Sequence, residues 1–116
     1  MPFICVSTSR TLSVSDKKCL AAEAGRLISL ISGKSEQHLM VKIEDSQYMT
    51  FGGYEKPCAF IDMHVYTSAP DSEKRAFADA FMGAAAEVAG VPTSDVFMTI
   101  TEHNEWGSGG AYRFNA

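Results

Sequence analysis

Pro2 follows Met1 directly and heads the apolar run Phe3-Ile4. If Met1 is removed, the proline nitrogen becomes a free secondary amine. An ordinary α-amino group titrates near pH ~7.7–8.0, and an apolar pocket or a neighbouring lysine favours its neutral form further. Such an amine has the properties of a general base. With Met1 retained, the same nitrogen is a tertiary amide and has no basic lone pair. The chemistry of Pro2 therefore depends on what the rest of the chain builds around the amino terminus.

The other chemistry-bearing residue types are sparse. His38, His64 and His103 are scattered in sequence and lack metal-ligand spacing, so no metal site is expected. Cys5, Cys19 and Cys58 make an odd count with no close pair, which argues against a disulfide framework. Cys5 sits in a strand-like run and Cys19 beside a helical stripe, and both read as small core or near-core thiols.

Composition bounds the rest. The 116 residues, 46% hydrophobic and 21% charged, describe one soluble domain, taken as residues 1–116. A net charge of −4 without a Lys/Arg stripe argues against a nucleic-acid partner. No run approaches the roughly 18 apolar residues of a membrane span, and no leader-like start is present. The cytoplasm is the expected compartment.

The elements that must position Pro2 come in duplicate. Phe3 and Phe60, Asp16 and Glu73, and Gly33 and Gly90 are each separated by 57 positions, with no gap required. The repeat, residues 2–45 and 59–102, is too long for a solenoid unit and holds strand and helix patterns in order, as two copies of a βαβ unit do. In the first copy, Phe3 to Thr8 reads as a strand. Ser15 caps a helix with Asp16 in its first turn, Leu20, Ala24, Leu27 and Ile31 form its buried stripe, and Gly33 stops it. His38 to Glu44 is the second strand. In the second copy, Ala59 to Tyr66 is a strand and Ser72 takes the capping place. Phe77, Phe81, Ala84 and Val88 form the stripe, Gly90 stops the helix, and Asp95 to Thr101 is the last long strand.

Two right-handed βαβ units pair into one mixed four-stranded sheet with both helices on one face, a two-layer α/β sandwich. The other face is left uncovered. Half of the strand side chains, several aliphatic ones among them, are expected there, and a large apolar face implies self-association. Gln47 to Phe51 and Gly110 to Phe114 read as short edge strands that could pair between subunits.

Pro2, Gly33-Lys34, Met49-Thr50-Phe51-Gly52-Gly53, Glu55-Lys56-Pro57-Cys58-Ala59 and Trp106-Gly107, in that order and spacing, resemble the macrophage migration inhibitory factor family of the tautomerase superfamily. The likeness spans nearly the whole chain. It implies a homotrimer with a site at each subunit interface and a cofactor-independent keto–enol tautomerase acting on a small aromatic 2-keto acid such as phenylpyruvate. By position, Pro2 is the base, Lys34 and the backbone amide of Tyr66 bind the substrate carboxylate, and Trp106 and Phe114 wall the pocket. The resemblance also implies that Phe97 reaches the pocket from a neighbouring subunit.

Several of these positions have a purely structural explanation as well. Lys34 follows a helix-stopping glycine, where a cation complements the helix dipole. Trp106, among Gly107, Gly109 and Gly110, could cover a core edge, and Phe114 could pin the C-terminal strand. Tyr66 stands where many members have isoleucine, Phe97 where they have tyrosine and Thr99 where they have asparagine. Glu105, beside Trp106, would repel an acidic substrate if it faced the pocket. The redox motif of some members is broken, since Ile61 replaces the partner of Cys58, and no thioredoxin-like activity is expected. The alternative function is a cytokine-like interaction protein with a vestigial proline pocket, a receptor as partner, and release from cells without a leader.

Overall fold

The structure, a computed structural model, describes residues 1–115. β1 (Pro2–Thr8), α1 (Val14–Leu27) and β2 (Met40–Glu44) form the first half; β5 (Ala59–Tyr66), α2 (Asp71–Ala89) and β6 (Val96–His103) form the second. Between and after them lie two hairpins, β3 (Thr50–Phe51) with β4 (Tyr54–Glu55), and β7 (Glu105–Ser108) with β8 (Ala111–Phe114). The main sheet runs β2-β1-β5-β6, with β1 antiparallel to β5 at its centre and β2 and β6 parallel to their neighbours. Register repeats between halves: Phe3 lies opposite Met40 and Ala59 opposite Val96, the same 37-position spacing. The four-stranded mixed sheet and helix pair are those expected from the repeat.

Strand alternation sorts the core. Pro2, Ile4, Val6 and Thr8 of β1 and Ala59, Ile61, Met63 and Val65 of β5 are buried on one face, where Leu20, Ala24, Phe77 and Phe81 of the helices meet them. Both helices therefore cover this single face. Phe77 and Phe81 are fully buried and their rings stack at 5.5 Å; truncating either to alanine costs about 3–5 kcal/mol.

The uncovered face differs from the expectation. It carries Phe3, Cys5 and Ser7 of β1, Met40, Lys42 and Glu44 of β2, Phe60, Asp62, His64 and Tyr66 of β5, and Phe97, Thr99, Thr101 and His103 of β6. The central strands turn their aliphatic residues to the helices, so this face presents mainly aromatics and polar groups, with Met40 as its exposed aliphatic side chain. The two extra segments also pair within the chain as hairpins, because Gly52-Gly53 and Gly109-Gly110, all at positive φ, close tight turns.

Helix ends are shifted from the sequence expectation. Ser13, not Ser15, caps α1: its hydroxyl accepts from the Asp16 N–H at 3.0 Å and Asp16 accepts from the Ser13 N–H at 3.2 Å, a reciprocal pair that satisfies two otherwise free donors. α2 starts after Pro70 rather than at Ser72, without a side-chain cap. The proline backbone is pre-set for that position, and Asp71 and Glu73 in the first turn complement the dipole. α1 ends at Leu27 and passes through a 3-10 turn, Ile28–Leu30, before Gly33. Gly33, at φ 77°, closes that later turn and not the helix itself, yet Ile31 is still buried. On α2, Ala85, Ala86 and Ala89 are buried with Phe77 and Phe81, whereas Ala84 and Val88 are half-buried. Cys19 is exposed and Cys5 half-buried, so of the three thiols only Cys58 lies in the core.

Candidate active site

Pro2 opens β1 on the buried face and is shielded almost completely from solvent. It lies at the edge of a cleft of about 740 Å³ whose lining includes Met1, Phe3, His38, His64, His103, Glu105 and Trp106. β1, β5 and β6 supply the floor of this cleft, and β7 folds over from the end of β6 to bring Trp106 beside it.

Lys34 sits at the same end of the sheet. The turn at Gly33 sends its side chain across to the end of β5, where Nζ donates to the Tyr66 carbonyl at 2.6 Å and to the Thr67 hydroxyl at 3.4 Å. The ammonium is therefore spent on β5 and not on the carbonyls that end α1. The Tyr66 N–H, expected to be an anion donor, instead gives its hydrogen bond to the Met1 carbonyl at 3.2 Å. Burial holds the Met1 ammonium below its ordinary value, and the Lys34 charge and hydrogen bond lower it further. Met1 thus faces both a cation, at its amine, and a backbone donor, at its carbonyl.

Thr67 is strained. Its φ of 73° lies in the left-handed region, which costs a β-branched residue on the order of 1–3 kcal/mol. It is held by its N–H donating to the His103 carbonyl at 2.8 Å and by Lys34 on its hydroxyl.

Trp106 is half-buried, with its ring 6.3 Å from Tyr66 and 5.7 Å edge-on from His103. It takes part in both the cleft wall and the packing of the β7 hairpin. Phe114, opposite Glu105 in that hairpin, is 61% exposed and does not line the cleft. Phe97 is not brought near Pro2 in this chain. It pairs with Phe60 while Pro2 pairs with Val65, a separation of about 17 Å along the sheet at roughly 3.3 Å per residue; it stacks on Phe51 at 4.9 Å instead. Thr99 donates to Asp62 at 3.4 Å, and Glu105 lines the cleft while accepting from the Tyr112 hydroxyl at 3.2 Å.

Sequence reasoning missed the histidines. His64 and His103 are 39 positions apart, yet His64 Nδ1 and His103 Nε2 are 2.8 Å apart, and His64 Nε2 is 3.1 Å from Asp62 Oδ1. Alternation places all three on the uncovered face, a signal present in each strand. Only the β5–β6 register, His64 beside Thr101 and Tyr66 beside His103, makes them neighbours. Among the described residues no group of three or more His, Cys, Asp or Glu side chains is arranged to hold a metal ion.

The model of the macrophage migration inhibitory factor family matches residues 1–111. Three solved structures share the fold at low identity. MIF2 of Leishmania major has 20% identity and a TM-score of 0.90, with 97% of each chain covered. The macrophage migration inhibitory factor-like protein of Entamoeba histolytica has 22% identity and a TM-score of 0.84, over 96% of this chain and 97% of the other. A protein solved after inactivation by 2-oxo-3-pentynoate has 18% identity and a TM-score of 0.81, over 93% of each chain.

Proposed function

The chain belongs to the macrophage migration inhibitory factor family of the tautomerase superfamily, and from that premise we propose that, with Met1 removed, Pro2 is the general base of a keto–enol tautomerase acting on an aryl 2-keto acid such as phenylpyruvate. The observation that carries this reading is the arrangement around the terminus. The Tyr66 N–H is held by the Met1 carbonyl, Lys34 lies beside the Met1 amine, and a cleft opens in front. Loss of Met1 creates the amine and frees the Tyr66 donor in the same event.

In the proposed reaction the Pro2 nitrogen takes a proton from the carbon next to the ketone. The C–H electrons form the C=C bond, and the carbonyl π electrons move to oxygen. Lys34 and the Tyr66 amide hold the carboxylate, and Trp106 packs against the aromatic ring. Burial and the Lys34 charge disfavour the protonated amine at Met1, and in this reading a Pro2 amine in the same surroundings is neutral below the ordinary titration range of about pH 7.7–8.0. That the inactivator of one fold relative is itself a 2-oxo acid fits the substrate class.

The proposed assembly is a homotrimer, in which the uncovered face is an interface and Phe97 and Phe114 reach a site across it. The deciding experiment follows phenylpyruvate tautomerisation by the Met1-free protein beside Pro2→Ala. A rate that collapses in the variant, with assembly intact, is expected. No rate above buffer in the unsubstituted protein would overturn the enzymatic reading and leave a binding role.

A further inference from the structure

Tautomerisation needs a proton partner at oxygen as well as a base at carbon, and the cleft holds one that the reading above leaves unused. We propose that His103, backed by His64 and Asp62, is the acid that exchanges the proton at the substrate oxygen while Pro2 works at carbon. This inference rests on the proposed tautomerase function.

One ion-pair contact and one hydrogen bond favour a particular placement of the protons. His64 Nε2 lies at ion-pair distance from Asp62 Oδ1, 3.1 Å, and because an ionised carboxylate only accepts, that neighbour favours the His64 proton on Nε2. His64 Nδ1 is then an acceptor and takes the Nε2–H of His103 at 2.8 Å. That leaves His103 Nδ1 as the atom that gains or loses a proton, with Asp62 offsetting the positive charge. Both rings line the cleft with Pro2. They are braced by Trp106 against His103 at 5.7 Å and by Phe3 against His64 at 6.3 Å, and Thr99 holds Asp62 from the neighbouring strand. The other titratable groups around the pair are Cys5 on β1 and Lys42 on β2, Tyr66 on β5, Glu105 on β7, His38 in the turn before β2, and Lys34 beside the terminus.

The step balances. As Pro2 nitrogen takes the carbon-bound proton, the carbonyl π electrons move to oxygen, and that oxygen takes the proton from His103 Nδ1, whose N–H electrons return to the ring as a lone pair. Ketonisation is the reverse: His103 Nδ1 accepts the enol O–H proton, and protonated Pro2 returns one to carbon. Solvent restores both groups between turnovers. His103 is the catalytic residue; His64 and Asp62 are positioning residues.

The test uses the full Met1-free chain. His103→Gln is expected to lower kcat about 100-fold with KM changed by less than about threefold, and added imidazole is expected to restore part of the rate in His103→Ala. A kcat within about threefold of the unsubstituted protein, or a loss that imidazole does not relieve, overturns the inference. Nitrogen-detected NMR of the imidazoles gives a readout independent of turnover. Both rings are expected as Nε2–H tautomers at alkaline pH, and a His103 found as the Nδ1–H tautomer there overturns the relay. An inactive unsubstituted protein instead sinks the tautomerase reading, and the tautomer pattern still judges the hydrogen-bond chain.

Discussion

The two ends of the central strand pair share one backbone frame and differ in their chemistry. At one end the Tyr66 N–H donates to the Met1 carbonyl; at the other the Ser9 N–H donates to the Cys58 carbonyl, both at 3.2 Å. Met1 and Cys58, like Tyr66 and Ser9, are separated by the 57 positions of the repeat. The glycines that follow the helices, Gly33 and Gly90, are both left-handed, at φ 77° and 70°. Beyond that the ends diverge. Lys34 corresponds to Val91, which is buried at 7% exposure, and Pro2 corresponds to Ala59, whose nitrogen is an internal amide. The cleft beside Ser9 is smaller, about 410 Å³ against 740 Å³. A duplicated frame thus builds two similar strand ends, and the chain terminus together with one lysine is what sets the proposed reactive end apart from the other.

The largest test of that contrast is to remove the terminus. An N-terminal extension that prevents Met1 loss leaves Pro2 an amide, as Ala59 is. Tautomerisation is expected to fall about 100- to 10,000-fold, the usual contribution of general acid–base catalysis, with melting temperature nearly unchanged. An extended chain that kept its rate would show that the terminus is not what separates the two ends.

Lys34→Val makes the reactive end resemble its counterpart more closely. A rise in KM of about 10–100-fold is expected, in line with about 1.5–3 kcal/mol for a hydrogen bond to a charged group. The sign of the pH effect follows from the terminus. Lys34 adds to burial in disfavouring the ammonium at Met1, and the proposed Pro2 amine inherits that neighbour. Removing the lysine lets the amine hold its proton to higher pH, so the acidic limb of kcat/KM moves upward. An unmoved limb would leave burial alone as the cause.

Thr67→Gly probes the strain found at the reactive end. Relief of the left-handed conformation is expected to raise stability by about 1 kcal/mol, while loss of the hydroxyl from Lys34 weakens substrate binding. A denaturant titration and KM together report the trade. The smallest effects separate the helix starts: Ser13→Ala is expected to cost about 1 kcal/mol by removing the capping pair, whereas Pro70→Ala, which removes no side-chain hydrogen bond, is expected to cost only a few tenths on the same scale. Equal losses would mean that the reciprocal Ser13–Asp16 contact adds nothing.

Much of this was readable in the residues because it is local or periodic. The bounds Ala59–Tyr66 follow from alternation, and the stripe from Leu20 to Ile31 follows from helical spacing, since each buried side chain must face the same layer. Gly90 stops α2 because few other residues adopt its left-handed φ. Both caps lie two residues before the expected positions; for α1, Ser13 and Ser15 offer similar chemistry, and only the contact with Asp16 chooses between them. The early end of α1 was hidden because a 3-10 turn keeps Ile31 facing the core and so preserves the periodic pattern.

The sequence by itself determined the duplicated βαβ plan, the mixed four-stranded sheet and the proline waiting behind Met1, because hydrophobic period, repeat spacing and backbone-specific residues act within a few positions of one another. Only the tertiary structure decided that Lys34 crosses to Tyr66, that the Tyr66 donor is already taken by Met1, and that Asp62, His64 and His103 form one chain. Those contacts depend on strand register and on where a long side chain ends after a turn. A single residue of slip would turn His103 to the opposite face, so their physical cause is the packing of the whole sheet.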